Sequence, residues 1–163
     1  MRKTVLVLAA LLSLPAALMA ADSPDTSTWV RFTSFSYAGK TAHCVAGLAA
    51  FQNEGHYYAI NVKIDSGHLA EVSLEQAAGR GSGRGPRSGD ETPQPKILAT
   101  EKLPDNVTSI GLKIEGSGPT TRCLYRVGSG EFTQLGQDLQ SSFLSTDTAG
   151  GFQGVTLGMF AHN

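Results

Sequence analysis

The chain has 163 residues, of which 40 % are hydrophobic and 17 % are charged, and its formal net charge at pH 7 is −1. This composition is typical of one globular domain and excludes a disordered polyelectrolyte. The small net charge supplies no basic excess for neutralising phosphates, so it argues against nucleic acid as a partner. The 19 glycines and 7 prolines favour strands and turns over long helices.

The first 21 residues have the organisation of a signal peptide. Arg2 and Lys3 precede an uncharged apolar run over 5–14, and small residues follow before the expected cleavage near residue 21. The run is short for a membrane span, which needs about 20 residues, and an uncleaved anchor is the alternative. No later segment is apolar enough to span a membrane. We therefore expect a secreted or periplasmic protein, and residues 22–163 form its single domain, with 11 basic and 14 acidic residues.

The chain contains two cysteines, Cys44 and Cys123. Export brings them into an oxidising compartment, so one interpretation is a disulfide that closes a long loop and stabilises the fold by roughly 4 kcal/mol. The alternative is a pair of free, buried thiols that serve as small apolar residues. The strand pattern turns both side chains inward, which is compatible with either interpretation.

Apolar and polar residues alternate in a series of short segments, which is the pattern of β-strands. In the first half of the chain these predicted strands lie at 29–37, 42–52, 56–64 and 69–75. The second strand is apolar on both faces, which predicts that both faces are covered. In the third strand, Tyr58 points to one face and Tyr57 to the other. Short turns join the last three strands into a meander.

Residues 77–95 contain five glycines, three prolines and three arginines without a hydrophobic period. This composition predicts a flexible loop. A G-x-G-x-x-G look-alike lies within it, but no helix follows, so a dinucleotide-binding interpretation fails for lack of context.

The second half of the chain continues the alternation. Its predicted strands lie at 96–103, 106–115, 120–127, 131–135 and 152–161, and the first four of these are expected to form a second meander. A weak helical window covers 137–145. Many short strands with almost no helix predict an all-β fold, either a β-sandwich or a jelly roll.

No catalytic or metal-binding motif is present, so the sequence predicts no catalytic residue, no metal site and no cofactor. The four histidines, at 43, 56, 68 and 162, lie at predicted strand ends and turns, where they are expected to be solvated. Glycoside hydrolysis needs two carboxylates about 5–10 Å apart. Glu71 and Glu75 are candidates in principle, but the alternation turns them to solvent. Aromatic residues are the stronger signal, because Trp29 and Tyr57 offer flat faces for stacking on sugar rings.

Three segments, in the same order as in the family, resemble the C-terminal concanavalin A-like domain of glycoside hydrolase family 43 β-xylosidases. They are AGLAAFQNEGHYYAINV (46–62), TSIGLKIEGSGPTTRCLYRVGSGEFTQLGQDLQSSFLS (108–145) and FQGVTLGMFA (152–161). The resemblance implies a concanavalin A-like β-sandwich. Two departures are Ser129, where the family has Asp, and Phe132, where it has Trp. Family domains also carry residues before the first segment and a strand after the last, so the domain is expected to be truncated relative to the family.

In this family the acid/base carboxylates lie on a separate propeller domain, so the resemblance implies an accessory fold. We expect an exported, noncatalytic domain that binds carbohydrate of the xylan type or docks to a glycosidase. Trp29, Tyr57 and Phe132 are the predicted sugar-stacking residues, and their convergence on one face would favour binding. The alternatives are a structural or protein-interaction sandwich without sugar affinity and, less favoured, a stand-alone glycosidase.

The strands missing relative to the family predict an open sheet edge. An open edge presents unpaired N–H and C=O groups, which invite another strand. The closing segment 154–161 is uncharged and rich in β-forming residues. The expected consequence is a homodimer that forms through this edge.

Overall fold

The computed structural model describes residues 28–36 (backbone only), 43–79, 94–150 and 154–162. The predicted signal peptide and most of the predicted loop, residues 80–93, lie outside these ranges. Within the described ranges, no helix has the length and apolar character needed to cross a membrane.

Ten strands make up most of the described chain. They are β1 (Thr28–Ser36), β2 (Cys44–Asn53), β3 (His56–Asp65), β4 (His68–Gln76), β5 (Lys96–Lys102), β6 (Ser109–Ser117), β7 (Thr120–Val127), β8 (Thr133–Gln134), β9 (Leu139–Gln140) and β10 (Thr156–His162). A 3₁₀ turn (Ser141–Leu144) and a short helix, α1 (Thr146–Ala149), lie between β9 and β10. The predicted helical window therefore contains β9 and the 3₁₀ turn instead. Packing decides this outcome, since Leu139 and Leu144 are both buried in the core.

The strands form two antiparallel sheets. The front sheet has the order β10-β2-β3-β4-β5, and the back sheet has the order β1-β6-β7-β8 with β9 beside β7. The predicted all-β sandwich is confirmed, and so is the first meander, β2-β3-β4. The predicted second meander is correct for β6, β7 and β8 only. Its first strand, β5, instead pairs with β4, with Ala99 opposite Leu74.

The core lies between the two sheets. Its largest fully buried side chains are Leu48, Ile60, Val62, Val72 and Leu74 on the front sheet and Ile110, Leu112, Ile114, Thr121 and Cys123 on the back sheet, with Leu135 beyond β8. Burying each large aliphatic side chain contributes roughly 1.5–3 kcal/mol. The alternation of each strand thus determines which face is internal.

The two cysteines are free thiols in the structure, and both are buried. Cys44 lies on the front sheet and Cys123 on the back sheet. Burial raises the pKa of both thiols, that of Cys123 to about 12. The arrangement corresponds to the second of the two sequence interpretations, in which both residues pack as small apolar side chains.

His56 differs from the sequence expectation because it is buried rather than solvated. Its Nδ1 lies 3.1 Å from Asn53 Oδ1, and its ring centroid lies 5.0 Å from that of Phe143. Asn53 also donates to the carbonyl of Ala149 at 3.0 Å. The polar partners available at this turn allow a histidine to face the interior.

Candidate functional site

The outer face of the front sheet carries a groove of about 480 Å³. Its floor is formed by the small residues Ala49 and Ala59, which the register of β2 and β3 places opposite each other. The next pair on this face is Gly47 and Asn61, of which Asn61 lines the groove and Gly47 is buried beside it. The expectation that β2 is covered on both faces is not met here, since Phe51 on this face is 41 % exposed. The outer face of β2 is therefore an open surface of apolar character.

Aromatic rings flank this floor on two sides. Phe51 and Tyr57, from β2 and β3, stack with centroids 6.1 Å apart and ring planes 21° apart. Phe160 and His162, both from β10, stack at 6.1 Å with an angle of 6°. All four residues line the groove. Flat apolar surfaces on two sides of a shallow floor suit a flat, partly apolar ligand.

A polar network lies in the same groove. Tyr57 Oη donates to Glu75 Oε1 at 2.6 Å, and Asn61 Nδ2 donates to Glu75 Oε2 at 3.0 Å. Burial and the hydrogen bond to Glu75 raise the pKa of Tyr57 well above its ordinary value. The Tyr57 hydroxyl therefore keeps its proton, and each carboxylate oxygen of Glu75 accepts from a neutral donor.

Asn61 contributes one further atom that this network does not use. Its side chain is 6 % exposed, and its Oδ1 has no hydrogen-bond partner in the described part of the chain. A buried acceptor without a donor costs about 1–3 kcal/mol. The atom has practically no accessible surface, so a ligand donor would remove this cost only after a neighbouring side chain of the groove moves aside.

Gly47 makes the arrangement of Asn61 and Phe160 possible. A Cβ atom at position 47 would lie 2.6 Å from Asn61 Oδ1 and 2.6 Å from Phe160 Cζ. Real contacts do not reach such distances, so any other residue would displace both side chains. Gly158, which lines the groove, differs because a Cβ atom there would meet nothing within 4 Å.

Of the sequence-predicted stacking residues, Tyr57 lies in the groove and Phe132 does not. Phe132 covers the outer face of the back sheet, with Lys113 Nζ 5.1 Å and Arg126 Cζ 5.0 Å from its ring centroid. Trp29 belongs to β1, where its backbone pairs with that of Gly116. Its side chain lies outside the described part of the structure. The structure thus separates Tyr57 from Phe132 by the thickness of the sandwich.

The residues that do accompany Tyr57 were not predicted as site residues. They are Phe51, Asn61, Glu75, Phe160 and His162. Alternation along the β2-β3 hairpin contained a signal for Phe51 and Asn61, because a short turn fixes which residues lie opposite each other. No local signal pairs β10 with β2, so Phe160 and His162 could not be placed.

Among the residues that the structure describes, the groove lining contains one carboxylate, Glu75. Glu71 lies four positions earlier on β4, opposite Lys63 of β3 and Lys102 of β5 in the register, outside the lining. Among the described residues, no three His, Cys, Asp or Glu side chains gather closely enough to hold a metal ion.

The comparison with known families shows that residues 25–163 match the family described as the beta xylosidase C-terminal concanavalin A-like domain. Among solved structures, a GH43_12 protein retrieved from capybara gut metagenome is similar, with 27 % identity, a TM-score of 0.67, and coverage of 83 % of this chain and 23 % of that one.

The GH43 BlXynB protein from Bacillus licheniformis shares the fold, at 15 % identity and a TM-score of 0.60, over 85 % of this chain and 24 % of its own. None of the curated proteins matches the chain. The chain spans about a quarter of the length of these solved relatives. Since the family match covers almost all of the sequence after the predicted signal peptide, the chain belongs to the family of β-xylosidase C-terminal concanavalin A-like domains.

Proposed function

We propose that the protein is an exported, noncatalytic carbohydrate-binding domain whose groove holds a stretch of a xylan-type chain. The observation that carries this proposal is the juxtaposition of uncovered aromatic rings with the unpartnered acceptor Asn61 Oδ1. A sugar ring has apolar C–H faces and hydroxyl donors at its rim. It can stack on the rings of Tyr57 or Phe160, and one hydroxyl can donate to Asn61 Oδ1 once a side chain of the groove moves to uncover that buried atom.

The single carboxylate of the groove supports a noncatalytic role. Hydrolysis by the usual route needs an acid and a second carboxylate about 5–10 Å away. Within the part of the chain that the structure describes, Glu75 is the one carboxylate in the lining, and both of its oxygens already accept hydrogen bonds from Tyr57 and Asn61. The family description, which names a C-terminal domain, agrees with an accessory role beside a separate glycosidase. The signal-peptide pattern supports a secreted or periplasmic location.

The second candidate function is a protein-interaction sandwich, and the β10 edge favours it. β10 lies at one edge of the front sheet and contains no Lys, Arg, Asp or Glu. Met159 on this strand is 37 % exposed, and Val155 just before it is 39 % exposed. The opposite edge strand, β5, carries the protective charges Lys96, Glu101 and Lys102. On this second proposal, β10 pairs with a second copy of the chain.

The primary proposal is tested by calorimetric titration of the purified protein with xylo-oligosaccharides and by amide shifts in NMR spectra. We expect binding, with shifts at Gly47, Tyr57 and Asn61 and none at Phe132. The variant Asn61→Leu should lose about tenfold or more in affinity, because the ligand hydroxyl no longer finds an acceptor.

The same substitution separates function from folding. Removing a buried acceptor without a partner relieves its desolvation cost, so Asn61→Leu should lower the free energy of unfolding by less than an ordinary buried polar-to-apolar change. Ser73→Ala is the matched control, because Ser73 lies opposite Asn61 on β4 and outside the groove lining. Absence of sugar binding, together with a concentration-dependent dimer in sedimentation, would replace the primary proposal with the second one.

A further inference from the structure

We infer that the groove selects neutral sugar rings and excludes uronic acids, with Glu75 as the residue that sets this specificity. The inference rests on the proposed carbohydrate-binding function and adds to it the charge class of the ligand. Xylan-type chains contain both neutral stretches and stretches with acidic branches, so the two classes are distinct targets. The inference assigns the groove to the unsubstituted stretches.

Two neutral donors hold the Glu75 carboxylate in place. It accepts from Tyr57 Oη at 2.6 Å and from Asn61 Nδ2 at 3.0 Å. Both donors are neutral, so they fix the position of the carboxylate without cancelling its charge. Within the described residues, Glu75 belongs to no ion pair. A ligand in the groove therefore meets a fixed negative charge.

The hydrogen-bonding character of the lining disfavours the same class of ligand. The atom that lacks a partner is a buried acceptor, Asn61 Oδ1. Once a movement of the lining uncovers this atom, a sugar hydroxyl can donate to it, whereas an ionised carboxylate has no proton to donate. A uronic acid group beside this atom would add a second acceptor to an unsatisfied one. Hydrogen bonding and charge thus disfavour the same class of ligand.

The other charged groups on this face do not offset Glu75. Lys63, Glu71 and Lys102 lie in register with one another across β3, β4 and β5, outside the lining. The remaining titratable group of the lining apart from Tyr57 is His162, which stacks on Phe160. The test is carried out at one pH, 8, for all ligands and variants.

The experiment compares three ligands by calorimetric titration. They are a linear xylo-oligosaccharide, the same oligosaccharide with one glucuronic acid branch, and the branched form with that acid methyl-esterified. The ester removes the charge and keeps the bulk. We expect the linear chain and the ester to bind alike, and the acid to bind roughly tenfold or more weakly at low salt. This discrimination should shrink as ionic strength rises.

Two variants test whether Glu75 causes the discrimination between the acid and its ester. Glu75→Gln removes the charge and keeps the size of the side chain, so the discrimination between acid and ester should fall to less than about threefold. Glu71→Gln is the matched control, since it removes the same charge from the same strand outside the lining, and it should keep the discrimination. If Glu75→Gln does not fold, the salt dependence of the discrimination in the unaltered protein still shows whether charge causes it.

Each outcome has a distinct meaning. Equal binding of acid and ester by the unaltered protein overturns the inference and leaves the proposed function in place. Discrimination that persists in Glu75→Gln at low salt removes the role assigned to Glu75. Tighter binding of the acid, or binding of a simple organic cation in preference to any of the sugars, also contradicts the inference. If no sugar binds at all, the proposed function and this inference fail together.

Discussion

The outer faces of the two sheets both carry aromatic rings, yet only one of them offers a ring to a ligand. On the front sheet, Phe51 stands 41 % exposed beside Tyr57, above a floor of small residues. On the back sheet, Lys113 and Arg126 approach within 5.1 and 5.0 Å of the Phe132 ring centroid. Cations over an aromatic face already make the contact that a ligand would make.

The difference originates in the neighbours of each ring rather than in the ring itself. Outward positions of β2 and β3 hold glycine and alanine, which cannot cover an adjacent aromatic side chain. Outward positions of β6 and β7 hold long charged residues, which extend over their surroundings and form ion pairs, Lys113 with Glu115 on β6 and Arg122 of β7 with Asp138. A surface aromatic residue is thus a good candidate for binding only where its neighbours on the sheet are small.

The strongest test of this comparison adds a methyl group at position 47, next to the floor of the groove on the front sheet. Gly47→Ala should displace Asn61 and Phe160, lower the free energy of unfolding by about 1–3 kcal/mol and abolish measurable sugar binding. Denaturant unfolding and calorimetric titration measure the two effects. Gly158→Ala is the matched control, because a Cβ there meets open space, and it should fold stably and still bind. If both variants bind equally well, the floor is not the site.

A second test removes one ring from each face. Tyr57→Ala should reduce sugar affinity roughly tenfold or more, because it removes a stacking surface and the hydrogen bond to Glu75. Phe132→Ala should leave the affinity unchanged, because that ring is occupied by Lys113 and Arg126. Affinity that depends on Phe132 instead would invert the roles of the two faces.

The dependence of stability on alkaline pH tests the buried face of the front sheet. Burial raises the pKa of Tyr58 to about 12, and Tyr58 in the unfolded chain titrates near 10. Between these values the unfolded state has lost a proton that the folded state keeps, so stability falls as pH rises. We expect a loss of about 1–2 kcal/mol between pH 10 and 12.

The control for this loss is Tyr58→Phe, whose side chain at position 58 cannot titrate. Its free energy of unfolding, measured in urea, should fall less steeply as pH rises from 10 to 12. Cys123, whose pKa is also raised to about 12, contributes in the same direction and remains in both proteins. An unchanged slope in Tyr58→Phe would contradict the assignment.

The smallest expected effect is the contribution of an ion pair on the back sheet to stability at acidic pH. Arg122 donates to both carboxylate oxygens of Asp138, at 2.9 and 3.1 Å, and this pairing holds the pKa of Asp138 below its ordinary value. The contribution is present above the unfolded pKa and is lost as pH falls through the folded one. Asp138→Asn should remove this part of the acid dependence with little change at pH 7, since the pair is exposed. A large loss at pH 7 would show that the charged face supports the fold more than surface pairs do.

Local pattern predicted much of the fold and one residue of the site. Alternation correctly assigned the inner and outer faces of β3, so Tyr57 was placed on the outer face and Tyr58 in the core. It could not show that β5 pairs with β4 or that β10 pairs with β2, because sheet order depends on contacts between distant segments. The cations over Phe132 were missed for a different reason, because Phe132 precedes β8 outside any regular strand and alternation does not fix where its ring lies.

The sheet order also determines when the groove comes into existence during folding. The Phe51–Tyr57 side closes within one hairpin, whereas the Phe160 side requires β10 to find β2 across more than a hundred residues. Local pairings form early, and long loops are closed later. A chain still emerging during synthesis would therefore have half of a groove. A ligand bound as proposed would touch both halves, hold the last-formed strand in place and slow its detachment.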